Sequence, residues 1–293
     1  MELDRLDLKK LRAFALVAKH GSLRLAATRL NQTVPAISSK IRRLEQELGI
    51  ELFERLPNRL ILTGAGTHFV REVEAVFHRA EQALASLSSA AAPAGRLSIS
   101  TASDYSWYFA PRLSNFLKRH PGVQLDLQVY RGSDAIRALA RGELDMSIGV
   151  FRKLPKALEK KTMVETTLSL VCPAGHPLLR GRVPKLSDIV RHNLIVLPRH
   201  GETRKLVDKA LASQALKPAS IVEVANCQIA GAFVENGVGL AIAHSLCMEH
   251  AHSENVSWVD LGKYFGKVAL SVAYRRGATR TPLIRNLVTE LAA

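Results

Sequence analysis

Residues Ser22–Leu48 read SLRLAATRLNQTVPAISSKIRRLEQEL. Leu23, Ala26, Ala27 and Leu30 recur at helical spacing, and Ile37, Ile41, Leu44 and Leu48 do the same after the polar break Asn31-Gln32-Thr33. At about 100° per residue the second set falls within a narrow arc, leaving Pro35, Ser39, Arg42, Arg43 and Gln46 on the opposite face. A helix buried along one side, with arginines and small polar groups along the other, fits a DNA major groove. Thr33 is placed to cap such a helix, and Pro35 is tolerated in its first turn. The pattern reads as helix-turn-helix, with Thr33–Leu48 as the recognition helix.

Outward from this stretch, Leu8–Lys19 is an earlier helix with Leu11, Phe14, Ala15 and Ala18 on one face. Gly21 stops it and Ser22 can cap the next. Downstream, Gly49 ends the recognition helix. Ile50–Arg55 and Arg59–Thr63 then flank Leu56-Pro57-Asn58 as a hairpin wing whose Arg55 and Arg59 can reach phosphates. Residues 1–65 make the expected DNA-binding domain. Residues 66–90 make a linker helix in which Phe69, Val73, Val76, Ala80, Ala83 and Leu87 step as a heptad-like seam, which predicts self-pairing. The small-residue run SSAAAPAG at Ser88–Gly95 supplies a hinge, placed at 91–95.

Charge supports this reading and also complicates it. Residues 1–43 carry ten Lys/Arg against three acids, as phosphate binding requires. Yet residues 91–293 hold 27 Lys/Arg against 16 acids, so most of the net charge of +15 lies outside the helix-turn-helix and favours an anionic ligand there. The start, MELDRLDLKK, is charged and lacks an apolar signal-peptide core. Three widely spaced cysteines, Cys172, Cys227 and Cys247, suit a reducing compartment. No uncharged apolar run approaches the ~18 residues of a membrane span. The expectation is a cytoplasmic protein with no membrane association.

From Arg96 onward strands and helices alternate. Strand-like runs are Leu97–Ser100, Val123–Tyr130, Met146–Val150, Thr166–Cys172, Leu194–Leu197, Ile221–Ala225, Gly239–Ala243, Val256–Asp260 and Val268–Tyr274. This predicts an α/β domain of two small lobes with mostly parallel sheets. Ligands in such lobes sit beyond strand carboxyl ends and at helix N-termini. The residues at those places are Thr101, Ser103, Arg131, Ser133, Gly149, Arg152, Thr203, Arg204 and Asn226. Hydroxyls, an amide and arginines converging there would suit a small anion such as a carboxylate.

No catalytic constellation is present: no G-x-S-x-G, no P-loop, no H-E-x-x-H, and no G-x-G-x-x-G after a strand. Neither an enzyme nor a cofactor is expected. Gly237-Val238-Gly239 reads as a helix-ending turn into a strand. His244, Cys247, His250 and His252 have metal-like spacing, and Cys227 with Cys247 could be a thiol pair, so a metal- or thiol-sensing regulator stays open. A solute-binding α/β protein without a direct DNA role is a further alternative.

Several segments together resemble the LysR-type transcriptional regulators: LRAFALVAKHGSLRLAATRL, PAISSKIRRLEQELGIELFER and LTGAG within Leu11–Gly66, then RGELDMSIG at Arg141–Gly149, CPAGHPL at Cys172–Leu178 and NGVGLAIAH at Asn236–His244. The resemblance implies a winged helix-turn-helix, a dimerising linker helix, and an effector domain similar to periplasmic binding proteins. That domain spans 96–293, with lobe one at 96–164 and 266–293 and lobe two at 165–265. The resemblance also implies a homotetramer on double-stranded promoter DNA, with RNA polymerase as a further partner, whose DNA bend changes when a small molecule enters the cleft. By position, Thr33, Val34, Pro35, Ser38, Ser39 and Arg43 belong to the DNA-facing set, with Arg55 in the wing. Thr101, Ser103, Thr203 and Asn226 lie where relatives place ligand contacts. Val34 and Ser39 depart from the Gln and Arg common in the family, so the operator sequence does not carry over.

Overall fold

The computed structural model describes residues 7–56, 59–87, 95–130, 132–248 and 254–292. The chain forms two compact units divided between Leu84 and Ala85.

In the first unit, α1 (Leu8–His20) is capped by the Asp7 carboxylate, which accepts the Lys9 N–H at 2.7 Å, and ends at Gly21 in the left-handed region. Ser22 caps α2 (Leu23–Arg29), and Thr33 caps α3 (Val34–Leu48), accepting from Ala36 N–H at 3.4 Å. The inner faces are the expected ones. Leu11, Phe14, Val17, Ala26, Ala27, Ile37, Ile41 and Leu44 are buried together, each large apolar side chain contributing about 1.5–3 kcal/mol. The wing is β1 (Phe53–Leu56) paired antiparallel with β2 (Arg59–Leu62). Phe14 packs against Phe53 and Phe69 at ring-centroid distances of 5.5 and 5.4 Å, tying α1 to the wing and to α4 (Gly64–Leu87). Gly66 stands so close to the wing that a Cβ would lie 2.1 Å from the Leu52 carbonyl oxygen.

The seam expected along α4 is divided. Val73 is buried in the core of this same unit and Phe69 packs half-buried against it, because Phe14 and Phe53 offer them an apolar surface. Of the expected seam Val76, Ala80 and Ala83 remain exposed, joined by Leu84, which the seam did not include; Val76 and Leu84 are 51% and 68% exposed. The Leu87 side chain and residues 88–94, including most of the expected hinge, lie outside the described residues.

In the second unit, β3 (Gly95–Thr101), β4 (Val123–Val129), β5 (Met146–Val150), β6 (Leu158–Thr166) and the late β12 (Val268–Arg275) form one sheet in the order β4-β3-β5-β12-β6. Strands β7 (Leu168–Pro173), β8 (Asn193–Val196), β9 (Ser220–Glu223), β10 (Leu240–His244) and β11 (Val256–Asp260) form the other, ordered β11-β7-β10-β8-β9. The chain crosses from the first sheet to the second at Thr166–Leu168 and returns between Asp260 and Val268.

Both sheets are mixed, which corrects the expectation of mostly parallel ones. Strand β3 is parallel to β4 and β5, but β12 enters between β5 and β6 and is antiparallel to both. Likewise β8 is parallel to β9 and β10, while β7 is antiparallel to β10 and β11. A strand arriving from the other lobe need not follow the β-α-β crossover that forces parallel pairing. Strand β6 was not expected as a separate element.

Helices α5 (Ser106–Arg119) and α12 (Pro282–Leu291) bring Phe109, Leu113, Phe116 and Leu287 onto Leu97, Ile99, Leu270 and Val272. Helix α6 (Gly132–Arg141) covers the other face of this sheet through Ala138 and Leu139. The second sheet is covered by α7 (Leu186–Ile189), α8 (Glu202–Ser213), α9 (Cys227–Glu235), α10 (Ser245–Met248) and α11 (Gly262–Phe265). Helix α9 ends before Gly237, which has a φ of +72°, and Gly239 then passes so near β8 that a Cβ would lie 2.3 Å from the Asn193 carbonyl oxygen.

Candidate DNA interface and ligand cavity

The outer face of α3 follows from its period. With Ile37, Ile41 and Leu44 turned inward, Thr33, Val34, Pro35, Ser39, Arg42 and Arg43 are exposed and Ser38 is half-buried. Arg42 and Arg43 make no ion pair or hydrogen bond among the described residues. The neighbouring cations are engaged in holding the motif together. Lys10 pairs with Glu47 at 2.5 Å, linking α1 to α3, and Lys40 donates to Gln32 at 2.7 Å. Glu45 accepts the N–H groups of Leu52 and Phe53 at 2.9 and 3.2 Å, which fixes the wing against α3. Arg55 and Arg59 sit in β1 and β2, and their side chains lie outside what is described. The result is a convex helix face with free guanidinium donors, of the kind that meets phosphates and base edges.

In the second unit the carboxyl ends of β3, β4, β5 and β8 open on a cavity of about 830 Å³ between the lobes. Lobe one contributes Tyr105, Ser133, Gly149, Phe151, Arg152 and Lys153; lobe two contributes Pro198, His200, Thr203 and Lys205. The first turns of α6, at Gly132 and Ser133, and of α8, at Glu202 and Thr203, both line it. Two helix N-termini direct partial positive charge at one space. Arg152, Lys153 and Lys205 add three cations against the carboxylates of Asp104 and Glu202. Glu202 already accepts from Lys205 at 2.6 Å, and burial raises the Asp104 pKa against the lowering effect of its bonds to Cys227.

One buried network joins the lobes beside this cavity. The Tyr105 hydroxyl of lobe one and the Thr203 hydroxyl of lobe two lie 2.6 and 2.5 Å from the same atom, His244 Nε2. His244 is completely buried, and desolvation pushes its pKa down to about 4. A neutral ring can exchange hydrogen bonds with these hydroxyls at Nε2 in either tautomer, accepting in one and donating in the other, whereas an imidazolium can only donate. Burial also raises the Tyr105 phenol, which stays protonated and able to donate.

Residues 8–67 match the family model described as bacterial regulatory helix-turn-helix protein, lysR family, and residues 90–293 match the LysR substrate binding domain. The chain belongs to the LysR family. It is a LysR-type transcriptional regulator, and the family is one of regulators, not enzymes. Among its relatives is the RuBisCO operon transcriptional regulator of Allochromatium vinosum, 27% identical over 94% of this chain and 92% of the relative. Full-length OxyR from Pseudomonas aeruginosa has the same fold, with a TM-score of 0.75 at 19% identity over 98% of this chain and 95% of that one. So does full-length CbnR in complex with its target DNA, with a TM-score of 0.72 at 21% identity over 98% and 100% of the two chains. No helix among the described residues is long and apolar enough to cross a membrane.

Against this LysR frame, the strand-end residues separate. Ser133, Gly149, Arg152 and Thr203 line the cavity. Thr101 does not: it is buried beside the cavity, and its hydroxyl donates to the Ala102 carbonyl at 2.8 Å. Arg204, one residue past Thr203, is turned to another side of α8, where it donates to Asp208 at 2.7 Å and Glu223 at 3.2 Å. Asn226 caps α9 by accepting the Ile229 N–H at 2.9 Å. Arg131 and the Ser103 side chain lie outside the described residues, as do His250 and His252 of the metal-like run. His244 Nε2 is taken by two hydroxyls, so that run does not form a ligand set among the described residues.

Sequence reasoning missed Tyr105, Lys153, His200 and Lys205, and placed His244 only in a metal-like run. For His244 a signal existed: it ends a strand, Leu240–His244, that is buried throughout, where an ionisable side chain needs a partner.

Proposed function

We propose that this LysR regulator reads double-stranded promoter DNA through Thr33, Val34, Pro35, Ser38, Ser39, Arg42 and Arg43, with Arg55 and Arg59 of the wing. Its DNA binding changes when a small anionic effector occupies the interlobe cavity. The observation that carries the second half is the cavity itself. Two helix N-termini and the cations Arg152, Lys153 and Lys205 face one space between lobes that the chain connects twice. An effector that contacts both lobes stabilises one lobe arrangement over another, and that difference in affinity is all it can transmit to DNA. The exposed edge of α4 at Val76 and Leu84 supports self-pairing, and a tetramer of paired readers in the cytoplasm, acting on RNA polymerase at a promoter, is the assembly in which this switch operates.

The test uses the full chain. Mobility shift with its own upstream DNA is expected to be salt-dependent, and a panel of carboxylates and phosphates is expected to contain a ligand that raises the melting temperature. A RuBisCO operon promoter is the second DNA, because the Allochromatium vinosum relative regulates that operon. Arg152→Ala with Lys205→Ala should weaken the melting response at least ~10-fold in ligand concentration, with unliganded DNA binding intact. A double variant that responds like the parent removes these residues from the site. A chain that binds a ligand but never shifts promoter DNA supports the solute-binding alternative.

A further inference from the structure

Asp104, in the turn after β3, reaches from lobe one to lobe two beside the cavity it also lines. Its carboxylate accepts the Cys227 N–H at 2.6 Å, in the first turn of α9, and its main-chain carbonyl accepts from Cys247 Sγ at 3.2 Å, on α10. The side-chain oxygen of Asp104 and the sulfurs of Cys227 and Cys247 all lie within 4.8 Å of one another. We propose that Asp104, Cys227 and Cys247 form a binding site for a divalent cation of the zinc class that bridges the two lobes.

The chemistry of the triangle agrees with this assignment, and donor atoms within 4.8 Å of one another can draw in to the spacing that zinc needs. Tetrahedral zinc with sulfur and oxygen ligands sets its donor atoms about 3.5–3.8 Å apart. Two thiolates exclude magnesium and calcium, which take oxygen ligands, and the carboxylate favours zinc over monovalent copper. Three protein ligands plus one exchangeable position is the open form of a zinc site. Both cysteines are free and buried, and the hydrogen bond with Cys247, together with burial, pushes the Cys227 thiol well above its ordinary pKa. Metal coordination needs no oxidant: the cation displaces the two thiol protons to solvent and forms two metal–sulfur bonds and one metal–oxygen bond. This site does not depend on the anionic-effector reading, since it is measured without DNA or effector.

The experiment takes the full chain, reduced and stripped with a chelator, and titrates it with Co²⁺ as a spectroscopic probe, then with Zn²⁺ as competitor. A single equivalent of Co²⁺ should bind, with a thiolate-to-cobalt charge-transfer band and release of roughly two protons per metal near neutral pH. Cys227→Ser and Cys247→Ser should each remove or strongly reduce the band. Cys172→Ser, buried in β7, should leave it unchanged. Asp104→Asn should keep a weakened band and lower affinity about tenfold or more. Absence of stoichiometric binding to the folded, reduced protein overturns the proposal, as does a band that survives both Cys227→Ser and Cys247→Ser. If the serine variants do not fold, the unsubstituted chain decides: binding without a charge-transfer band or without proton release equally overturns it.

Discussion

On α3, Arg42 and Arg43 stand exposed with no partner among the described residues. In the interlobe cavity, Tyr105 and Thr203 already hold His244, and Lys205 already pairs with Glu202. The two units therefore prepare for recognition in different ways. The DNA reader keeps its donors free, because a phosphate backbone supplies the acceptors and counterion release contributes much of the affinity. The cavity pairs part of its polar lining and leaves Arg152 and Lys153 free among the described residues, so that a ligand meets open cations and must also compete with the Glu202–Lys205 pair and the His244 network. One arrangement suits a surface that binds; the other suits a site that switches.

The strongest way to break this contrast is to disable each unit separately. Gly66→Ala would drive a Cβ into the Leu52 carbonyl, and Gly239→Ala would drive one into the Asn193 carbonyl. Each should cost about 3 kcal/mol or more, since backbone yields poorly to overpacking. Gly66→Ala should abolish DNA binding while ligand-dependent melting of the second unit persists, and Gly239→Ala should do the reverse. Domain-resolved unfolding followed by limited proteolysis checks this. Equal loss in both units from either variant would show that the two do not fold independently.

Next in size is the pair Arg42→Ala and Arg43→Ala. Together they should weaken promoter binding by about 10–100-fold and reduce the slope of log affinity against log salt by roughly two. The melting curve should not move, because neither side chain has an internal partner to lose.

The network beside the cavity carries a pH signature of its own. The His244 pKa is about 4 when folded and buried, against an ordinary value of 6.5. The unfolded chain therefore binds the extra proton first. Stability from the neutral ring is complete above about pH 6.5, is lost as pH falls, and the loss levels off below about pH 4. Between pH 7 and 5 this amounts to roughly 2 kcal/mol in urea unfolding. His244→Gln should lack that component, and a variant retaining the full pH dependence would place its origin elsewhere. The smallest effect is Thr33→Ala, which removes the cap of α3 and should cost about 1 kcal/mol of first-unit stability.

The same contrast explains what could be read from the sequence. Helices α1 to α3 depend on contacts close along the chain, so the spacing of Phe14, Ala27, Ile37 and Ile41 was enough to orient Arg42 and Arg43 outward. The seam on α4 was misread in its first turns because a period shows which residues share a face, not whether that face meets its own wing or a second copy. In the second unit, Met146–Val150 and Val256–Asp260 were placed to the residue, being apolar or alternating runs. Strand β6 was missed, since Glu159, Lys160 and Lys161 hide its alternation. Strand direction was illegible because β12 pairs with residues more than a hundred positions earlier. For the cavity, the strand-end rule found Ser133, Gly149, Arg152 and Thr203. It could not tell that a rotation of one residue turns Arg204 away, or that Asn226 caps its own helix.

Strand β12 also fixes an order of events during synthesis. It lies between β5 and β6, so those two strands have no neighbour on that side until residues 268–275 emerge from the ribosome. The whole of lobe two is translated during that wait. A nascent chain stalled before residue 268 therefore carries every strand of the second sheet and an unfinished first one, with two hydrogen-bonding edges open to wrong partners. In this protein a late frameshift falls on the lobe that was translated first.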